Sequence, residues 1–230
     1  MEINKITITG IDNSNDIPEL LELQKQYPFV EWGVLFASKP GKDRYPLPHV
    51  IEDFLTAGLN LSAHFCGTWA REPIEEGNFD YLTAIFKEGF KRVQLNYNFD
   101  RGKGWDLTRL IKWSKLNDNC PLILQCNKSN LKHVDFKKIP DSFHILYDSS
   151  GGSGKEIKKL EKPFKNYTGY SGGISPFNIY SIGLQITTST NKSKVWLDME
   201  SGVRDDKDKL DLSKVRKILE LSEFLINKNV

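Results

Sequence analysis

A histidine and a cysteine stand two residues apart in the stretch "SAHFCG", as His64 and Cys66. The run around them is apolar enough to form a β-strand, and residues i and i+2 of a strand share one face. An imidazole beside a thiol is an arrangement in which one group activates the other for acid–base or nucleophilic chemistry. The alternative is a hydrogen-bonded structural histidine beside a small buried cysteine, and the pattern leaves both open.

A carboxylate ends a second apolar run, because residues 143–147 lead into Asp148 and then into "SSGGSGK", which contains Gly152. Glycines at such a place add nothing to a core and lose backbone entropy on folding. The loop is therefore either a flexible surface linker or bare backbone that approaches a ligand, with Asp148 as a reacting group. It is not a Walker-type phosphate loop, since Glu156 stands where Ser or Thr would follow the lysine.

Two more glycine-bearing segments follow apolar runs near the end of the chain. "SGGISP" contains Gly172 and Gly173, and "ESGVR" contains Ser201 and Gly202. Backbone N–H groups without a neighbouring side chain can point at an anion, as they do in many phosphate sites. The alternative is that these glycines only serve tight turns.

The predicted elements that position these residues are apolar runs that alternate with amphipathic segments. Eight short runs are typical of buried strands, and they are "KITITGID", "FVEWGVLFAS", "LNLSAHFCG", "RVQLNYNF", "PLILQCNKS", "FHILYDSS", "YTGYSGGIS" and "KVWLDMESG". Segments of helical spacing alternate with them, such as "IPELLELQKQY" and "DLSKVRKILELSEFLI", and a weak lysine-rich stretch follows the fifth run. Continuous apolar strands that alternate with helices indicate a parallel sheet covered on both faces.

Eight such units in 230 residues are the size of a (β/α)8 barrel, so we expect an α/β protein of one domain, residues 1–230. An open doubly wound sheet is the competing architecture. In a barrel the active site lies at the carboxyl ends of the strands, where the loops after strands seven and eight often bind a phosphate. Polar and titratable residues end many of the predicted strands, among them Asp12, His64, Cys66, Asp148, Asp198 and Glu200.

Composition and charge argue against several classes of protein. The formal net charge is +2 with 27% charged residues, which gives no basic face for nucleic acid. No signal peptide or membrane span is predicted, and the three cysteines without CxxC spacing are typical of reduced thiols, so we expect a cytoplasmic protein. The four histidines show no metal-binding spacing, so no metal and no cofactor are predicted. The expected partner is a phosphorylated small molecule, and the expected state a monomer or a homodimer.

The last third of the chain resembles the phosphoribosylanthranilate isomerases. "LYDSSGGSGK", "YSGGISPFNI" and "VWLDMESGVRDDKDKLDLSKVRKILE" are similar, in order and spacing, to that family's D…GG-[ST]-GK, GGL-x-P-x-N and D-V-S-S-G-V-E segments. "GVLFASKPGKDRYP" resembles its second strand and arginine-bearing loop, which carries Arg44 here, and "VQLN" resembles its fourth strand.

The resemblance implies a (β/α)8 barrel that performs an Amadori-type isomerisation of an aminoaldose to an aminoketose. It implies a phosphate held by the Gly172–Gly173 and Ser201–Gly202 loops, and Asp148 as the acid that protonates the ring oxygen. The family's base is a cysteine of the first strand, and Thr9 stands at that position. Glu200 replaces a serine and Arg204 replaces an acid of the last segment.

A threonine hydroxyl cannot serve as the base at neutral pH, so another group must replace it. His64, with Cys66, is the leading candidate, and Asp12, Glu200 and Glu31 are the others. For Asp12 the alternative is a turn or helix cap before Pro18. Arg44 or Arg204 would bind a carboxylate or a second phosphate, and Asp198 and Glu200 would contact the substrate.

The leading hypothesis is therefore an isomerase that does acid–base chemistry on a phosphorylated sugar-like substrate. A second hypothesis is a barrel that kept its phosphate cradle and lost turnover, which the replacement by Thr9 favours. A third is a plain interaction scaffold. Stabilisation by phosphorylated compounds, measured together with turnover, distinguishes the three.

Overall fold

The strands of the protein close into a barrel. A computed structural model describes residues 1–38, 44–150, 160–189 and 192–227. Within those residues eight parallel strands are hydrogen-bonded in chain order, β1 to β8. They are Glu2–Thr9, Val30–Phe36, Leu61–Cys66, Arg92–Asn96, Leu122–Cys126, Phe143–Asp148, Thr168–Ser171 and Lys194–Met199.

The helices of the described residues pack outside this barrel. They are α1 to α7, with bounds Ile17–Gln26, Pro48–Thr56, Thr68–Arg71, Asp80–Glu88, Leu107–Leu116, Ile179–Thr187 and Leu212–Asn227. A π-helical turn spans Glu72–Glu76, and 3₁₀ turns span Asn130–Lys132, Phe136–Lys138 and Ser201–Val203. No helix in the described part of the chain is both long and apolar enough to cross a membrane.

Closure rests on the first strand, which pairs with a neighbour on each side. Ile6 lies beside Val30 of β2 and beside Leu197 of β8. An open sheet would leave β1 or β8 with a free edge, so the predicted (β/α)8 barrel is confirmed. The carboxyl ends of all these strands therefore meet at one face of the molecule, the mouth of the barrel.

The connection after β5 differs from the weak helix that the sequence predicts. It forms two 3₁₀ turns around Asn130, whose buried side chain donates to the carbonyl oxygens of Tyr97 and Gln125 and accepts from the N–H of Phe99. Asp135 then accepts a bond from the N–H of Lys137. Asn and Asp side chains compete in this way with helical hydrogen bonds, which explains the shorter element.

The barrel has an interior of its own, separate from the main core between strands and helices. Ile123, Leu146 and Trp196 form a small apolar cluster there. Gly169 of β7 lies against Trp196, and a Cβ on that glycine would overlap the indole ring. Because Gly169 has no side chain, it leaves room for the Trp196 ring in the lumen.

Charged groups lie next to this cluster, near the amino ends of the strands. Glu31 is fully buried and pairs with Arg92, and Lys5 donates to it over 2.8 Å. The Arg92 guanidinium lies 4.6 Å from the centre of the Trp196 ring. Burial alone would raise the pKa of Glu31, but Arg92 and Lys5 outweigh it and lower the pKa to about 2. Glu31, a candidate base by sequence, is thus placed in a structural ion pair below the mouth.

Candidate active site

A cavity of about 490 Å³ opens at the mouth of the barrel. Its wall consists mainly of the last residues of the strands and the first residues of the loops that follow them. The lining residues that matter below are Thr9, Arg44, His64, Cys66, Gln94, Asn96, Gln125, Asp148, Ser171, Gly172, Gly173, Asp198, Glu200 and Ser201. Most of the residues that the sequence singles out therefore share one hollow.

Asp148, the last residue of β6, is 4% exposed and is held from two sides. One carboxylate oxygen, Oδ2, accepts a 2.7 Å bond from Gln125 Nε2 of the neighbouring strand β5. The other, Oδ1, accepts bonds from the N–H and the hydroxyl of Ser150 at 3.0 and 2.7 Å. Three donors among the described residues thus help to set the orientation of this carboxyl group within the cavity.

Asp148 and Asp198 belong to one row of residues that runs across three strands. Asp148 is the register partner of Ser171 on β7, and Ser171 is the partner of Asp198 on β8. Neighbouring strands lie about 4.8 Å apart, so the backbones of the two aspartates are separated by roughly 10 Å. All three side chains line the cavity. The row therefore presents two carboxyl groups on either side of a serine.

The loop after β7 approaches the cavity through its backbone. Gly172 and Gly173 have φ angles of 122° and 58°, a region that side-chain-bearing residues rarely adopt. Their N–H groups donate to no acceptor among the described residues. Asn178 holds the turn: its Oδ1 accepts from the N–H of Ser175 at 2.8 Å, and its Nδ2 donates to Gly173 O at 2.9 Å. As a result α6 starts at Ile179, after this turn.

The loop after β8 contributes less than the sequence predicts. Ser201 lines the cavity, but Gly202 is packed against the neighbouring loop, where a Cβ would overlap the carbonyl oxygen of Ile174. Gly202 therefore serves the close approach of the two loops. Gly152, the remaining predicted contact, lies outside the described residues.

Asp198 and Thr9 make a hydrogen-bonded pair at the junction of β8 and β1. Thr9 Oγ1 donates to Asp198 Oδ1 over 2.7 Å, and both residues are almost fully buried. Burial raises the pKa of Asp198 to about 7, although the bond from Thr9 works in the opposite direction. A carboxyl group whose pKa lies near neutral pH is thus hydrogen-bonded to the residue at the position of the expected base.

His64 and Cys66 both line the cavity, but they do not form the predicted pair. His64 Nε2 lies 3.1 Å from Ser62 Oγ, and burial lowers the pKa of the imidazole to about 4. The Cys66 thiol contacts the backbone carbonyl of His64 at 3.9 Å and accepts from Asn96 Nδ2 at 3.4 Å. Burial raises the pKa of that thiol, so neither group is tuned as a base for neutral pH.

Arg44 reaches the cavity from the loop after β2, and two carboxylates already hold it. Its Nη1 donates to Glu200 Oε1, and its Nε and Nη2 donate to the two carboxylate oxygens of Asp208. Asp208 itself has a φ of 63°, which is uncommon for a residue with a side chain. Glu200, Asp208 and Arg44 therefore form an ion-pair cluster at the rim of the cavity.

Asp12 is not among the described side chains that line the cavity. Its Oδ1 accepts bonds from the N–H and the hydroxyl of Ser14, at 2.9 and 2.6 Å. Its Oδ2 lies 3.5 Å from Nη1 of the buried Arg204, which also donates to Gly10 O over 2.6 Å. These contacts tie the loop after β1 to the loop after β8, which is the turn-forming alternative considered for Asp12.

Several residues of the site carried no individual prediction. Asn178 stands in a quoted motif and Gln125 ends a predicted strand, so both had a signal in the sequence. Asp208 and Gly33 had none. A Cβ on Gly33 would lie 2.7 Å from Thr9 Oγ1 and 3.0 Å from His64 Nε2, so this glycine leaves room for both side chains. In the described part of the chain no cluster of His, Cys, Asp or Glu is arranged to hold a metal ion.

The chain is similar to a curated protein over nearly its whole length. It is 25% identical over 223 residues to N-(5'-phosphoribosyl)anthranilate isomerase of Aquifex aeolicus, covering 94% of this chain and 96% of that protein. No protein-family model matches the sequence.

Two solved structures share the fold. Phosphoribosyl anthranilate isomerase from Thermus thermophilus superposes with a TM-score of 0.63 at 18% identity, covering 96% of this chain and 99% of the other. TrpF from Jonesia denitrificans gives a TM-score of 0.64 at 16% identity, with 96% and 97% coverage. The resemblance inferred from the last three strand–loop units is thus confirmed: the chain is a (β/α)8 barrel that is similar to the phosphoribosylanthranilate isomerases and divergent from them in sequence.

Proposed function

We propose that the protein is an enzyme that isomerises a phosphorylated, sugar-like aminoaldose to the corresponding aminoketose by acid–base catalysis. The observation that carries this proposal is the shared cavity, whose wall contains Asp148, Asp198 and the Gly172–Gly173 turn. The similarity to the isomerase of Aquifex aeolicus supports the reaction class.

The phosphate end of the substrate would lie against the loops after β7 and β8. The N–H groups of Gly172 and Gly173 and the side chain of Ser201 are donors at the cavity wall, where an anion would complete their hydrogen bonds. Loops at this place in a (β/α)8 barrel often bind phosphate. Asn178 would act as a positioning residue, because it holds Gly173 and Ser175 without lining the cavity.

The sugar would lie across Ser171, between the two aspartates. Gln94 Oε1 is buried in the cavity wall and has no hydrogen-bond partner among the described residues. A buried acceptor of this kind needs a donor, and a hydroxyl group of a sugar is a suitable one. The cavity thus has an anion-binding end and a polar floor, as a phosphosugar requires.

Asp148 is the proposed acid. It would give a proton to the ring oxygen while the C1–O bond breaks and the nitrogen lone pair forms a protonated C=N bond at C1. A base then removes the proton from C2 and gives an enolamine. The enolamine takes a proton at C1 while the C2 hydroxyl loses one, which leaves the ketone with no net change in protons.

Turnover of N-(5-phosphoribosyl)anthranilate by the wild type and by Asp148→Asn tests this proposal. We expect turnover by the wild type and a loss of about 10²- to 10⁴-fold in kcat for the variant, the usual contribution of a general acid. Asp141→Asn is the matched control, because Asp141 precedes the other end of β6 and its side chain is 73% exposed. Equal rates for the wild type and Asp148→Asn would remove Asp148 from the chemistry.

Binding without turnover is the second candidate function, and Thr9 favours it, since it stands where the resembling isomerases have their base. Thermal unfolding with ribose 5-phosphate, followed together with product formation in the same samples, separates the two. Stabilisation without product would favour a binding protein. Absence of stabilisation by any phosphorylated sugar would contradict both functions.

A further inference from the structure

We propose that Asp198, oriented by Thr9, is the general base of this reaction, the role that a cysteine has in the resembling isomerases. This role rests on the proposed function. It assigns a catalytic proton transfer to a residue that the sequence suggests only as a substrate contact.

Closure of the barrel brings this pair together. Asp198 of β8 is the register partner of Thr7, so Thr9 lies two residues further toward the mouth on the neighbouring strand. From there Thr9 Oγ1 donates 2.7 Å to Asp198 Oδ1. Asp198 Oδ2 accepts no hydrogen bond from the described residues, and Asp198 lines the cavity. The first-strand position thus supplies a donor that orients a carboxylate, and the eighth strand supplies the base.

The surroundings of Asp198 suit it to take up a proton near neutral pH. Burial raises the pKa of this carboxyl group to about 7, and the charge of Glu200 at the end of the same strand adds to the rise. Thr9 from β1 and the more distant Arg92 from β4 lower the pKa, while Glu31 from β2 raises it. His64 from β3 adds no charge near pH 7, because its pKa is lowered to about 4.

The competing bases of the cavity are less suitable. His64 shares its Nε2 with Ser62 at 3.1 Å and is a weak base because its pKa is low. Cys66 stays a neutral thiol at pH 7, because burial raises its pKa. A carboxylate with a pKa near 7 is a stronger base than an ordinary one and is still half ionised at neutral pH.

The proton transfer balances with the acid step. When the C2–H bond breaks, its proton goes to Asp198 Oδ2, and its electron pair forms the C1=C2 bond while the C=N pair returns to nitrogen. Asp198 ends protonated and Asp148 ends as a carboxylate, so one proton must pass between them through solvent before the next turnover. The Ser171 hydroxyl side chain stands between the two strands in this row.

The pH profile of kcat/KM for Asp198→Asn, Thr9→Val and Thr9→Ser tests the assignment. We expect one limb of the wild-type profile to lie near pH 7, where Asp198 changes its charge. Asp198→Asn should lose about 10²- to 10⁴-fold in kcat. Thr9→Val should keep turnover but move the limb set by Asp198 upward by about one pH unit, because the bond that favours the ionised form is gone. Thr9→Ser keeps a hydroxyl and should keep the wild-type limb.

A second measurement follows the carboxyl group itself. In protein labelled with ¹³C at the aspartate carboxyl carbons, one NMR resonance should titrate near pH 7 in the wild type and be absent from Asp198→Asn. Turnover by the wild type with an unchanged rate in Asp198→Asn would overturn the role of Asp198 alone. A limb near pH 7 that Thr9→Val leaves in place would overturn it as well. Failure of the wild type to turn over the substrate would overturn this role together with the proposed function.

Discussion

Two buried carboxyl groups in the barrel interior differ in the charged and polar groups that surround them. Glu31, near the amino ends of the strands, has no exposed side-chain surface, and Asp198, near the mouth, is 4% exposed. Yet the pKa of Glu31 is lowered to about 2, and that of Asp198 is raised to about 7. Burial disfavours the charge on both, so the difference comes from their partners.

Glu31 has two cations, Arg92 and Lys5, whereas Asp198 has a hydroxyl group and a neighbouring acid, Glu200. At the amino end of the lumen, the buried negative charge of Glu31 is therefore balanced by positive charges of the protein itself. At the mouth, Asp198 has no ion-pair partner among the described residues, which destabilises the fold and supplies a group able to move a proton. Such a difference between a compensated and an uncompensated carboxyl group is typical of the contrast between structural and functional sites.

The largest expected effect on stability is that of Glu31→Gln. Removing the carboxylate leaves the buried Arg92 and the partly buried Lys5 without their partner, which should lower the free energy of unfolding by about 3 to 5 kcal/mol. Urea unfolding at pH 7 measures it. The loss should shrink as the pH falls from about 4.5 toward 2, because the wild type then protonates Glu31 as well.

Glu22→Gln is the control for that experiment. The Glu22 side chain is 69% exposed and lies 4.0 Å from Arg216, so its loss should change the free energy of unfolding by less than about 0.5 kcal/mol. Equal effects of the two substitutions would contradict the view that Glu31 and its cations stabilise the lumen.

Asp198→Asn should raise the free energy of unfolding, which is the opposite of the effect expected for Glu31→Gln. The unfolded chain ionises this group near 3.8 and the folded protein near 7, so wild-type stability falls as the pH rises between those values. The variant has no ionisable group at this position, so its stability does not fall in this way. Its free energy of unfolding at pH 8 should exceed that of the wild type by about 2 to 4 kcal/mol. Urea unfolding at pH 8 and pH 4 checks the sign, since the gain should be nearly absent at pH 4. A variant less stable than the wild type at pH 8 would show that the carboxylate stabilises the fold.

The smallest effects are expected from the two glycines that leave room in the lumen. Gly169→Ala forces a methyl group into the Trp196 ring and should lower the free energy of unfolding by about 1 to 3 kcal/mol. Gly33→Ala meets Thr9 Oγ1 and His64 Nε2 at 2.7 and 3.0 Å, so we expect a loss of about 1 kcal/mol. Thermal unfolding of the two variants side by side measures the ranking, and a reversed order would contradict the overlap with Trp196.

Much of the fold follows from local pattern. Each strand is a short apolar run, and most connections carry an amphipathic helix, so the alternation and the barrel were predictable from the sequence. The same holds for Asp148 and the Gly172–Gly173 turn, because a carboxylate and glycines at strand ends are visible without coordinates. The segment after β5 was not, since the buried bonds of Asn130 replace its helix.

The pairing of side chains at the mouth was beyond the sequence. Arg44 and Glu200 are 156 residues apart, and nothing local distinguishes a rim arginine held by acids from one free to bind a substrate. The hydrogen bonds that His64 and Cys66 make with other groups were beyond the sequence for a related reason. Spacing places both on one face of β3, but the burial that lowers one pKa and raises the other comes from neighbouring strands.

The amino-acid sequence by itself determined the strand–helix alternation, the acid that ends β6 and the glycine turn after β7, because these depend on neighbours in the chain. Only the tertiary structure decided which carboxyl group at the mouth titrates near neutrality. Thr9 and Asp198 are 189 residues apart and meet because β1 closes on β8. The charge state of a buried acid depends on what surrounds it in space, and closure of the barrel set those surroundings.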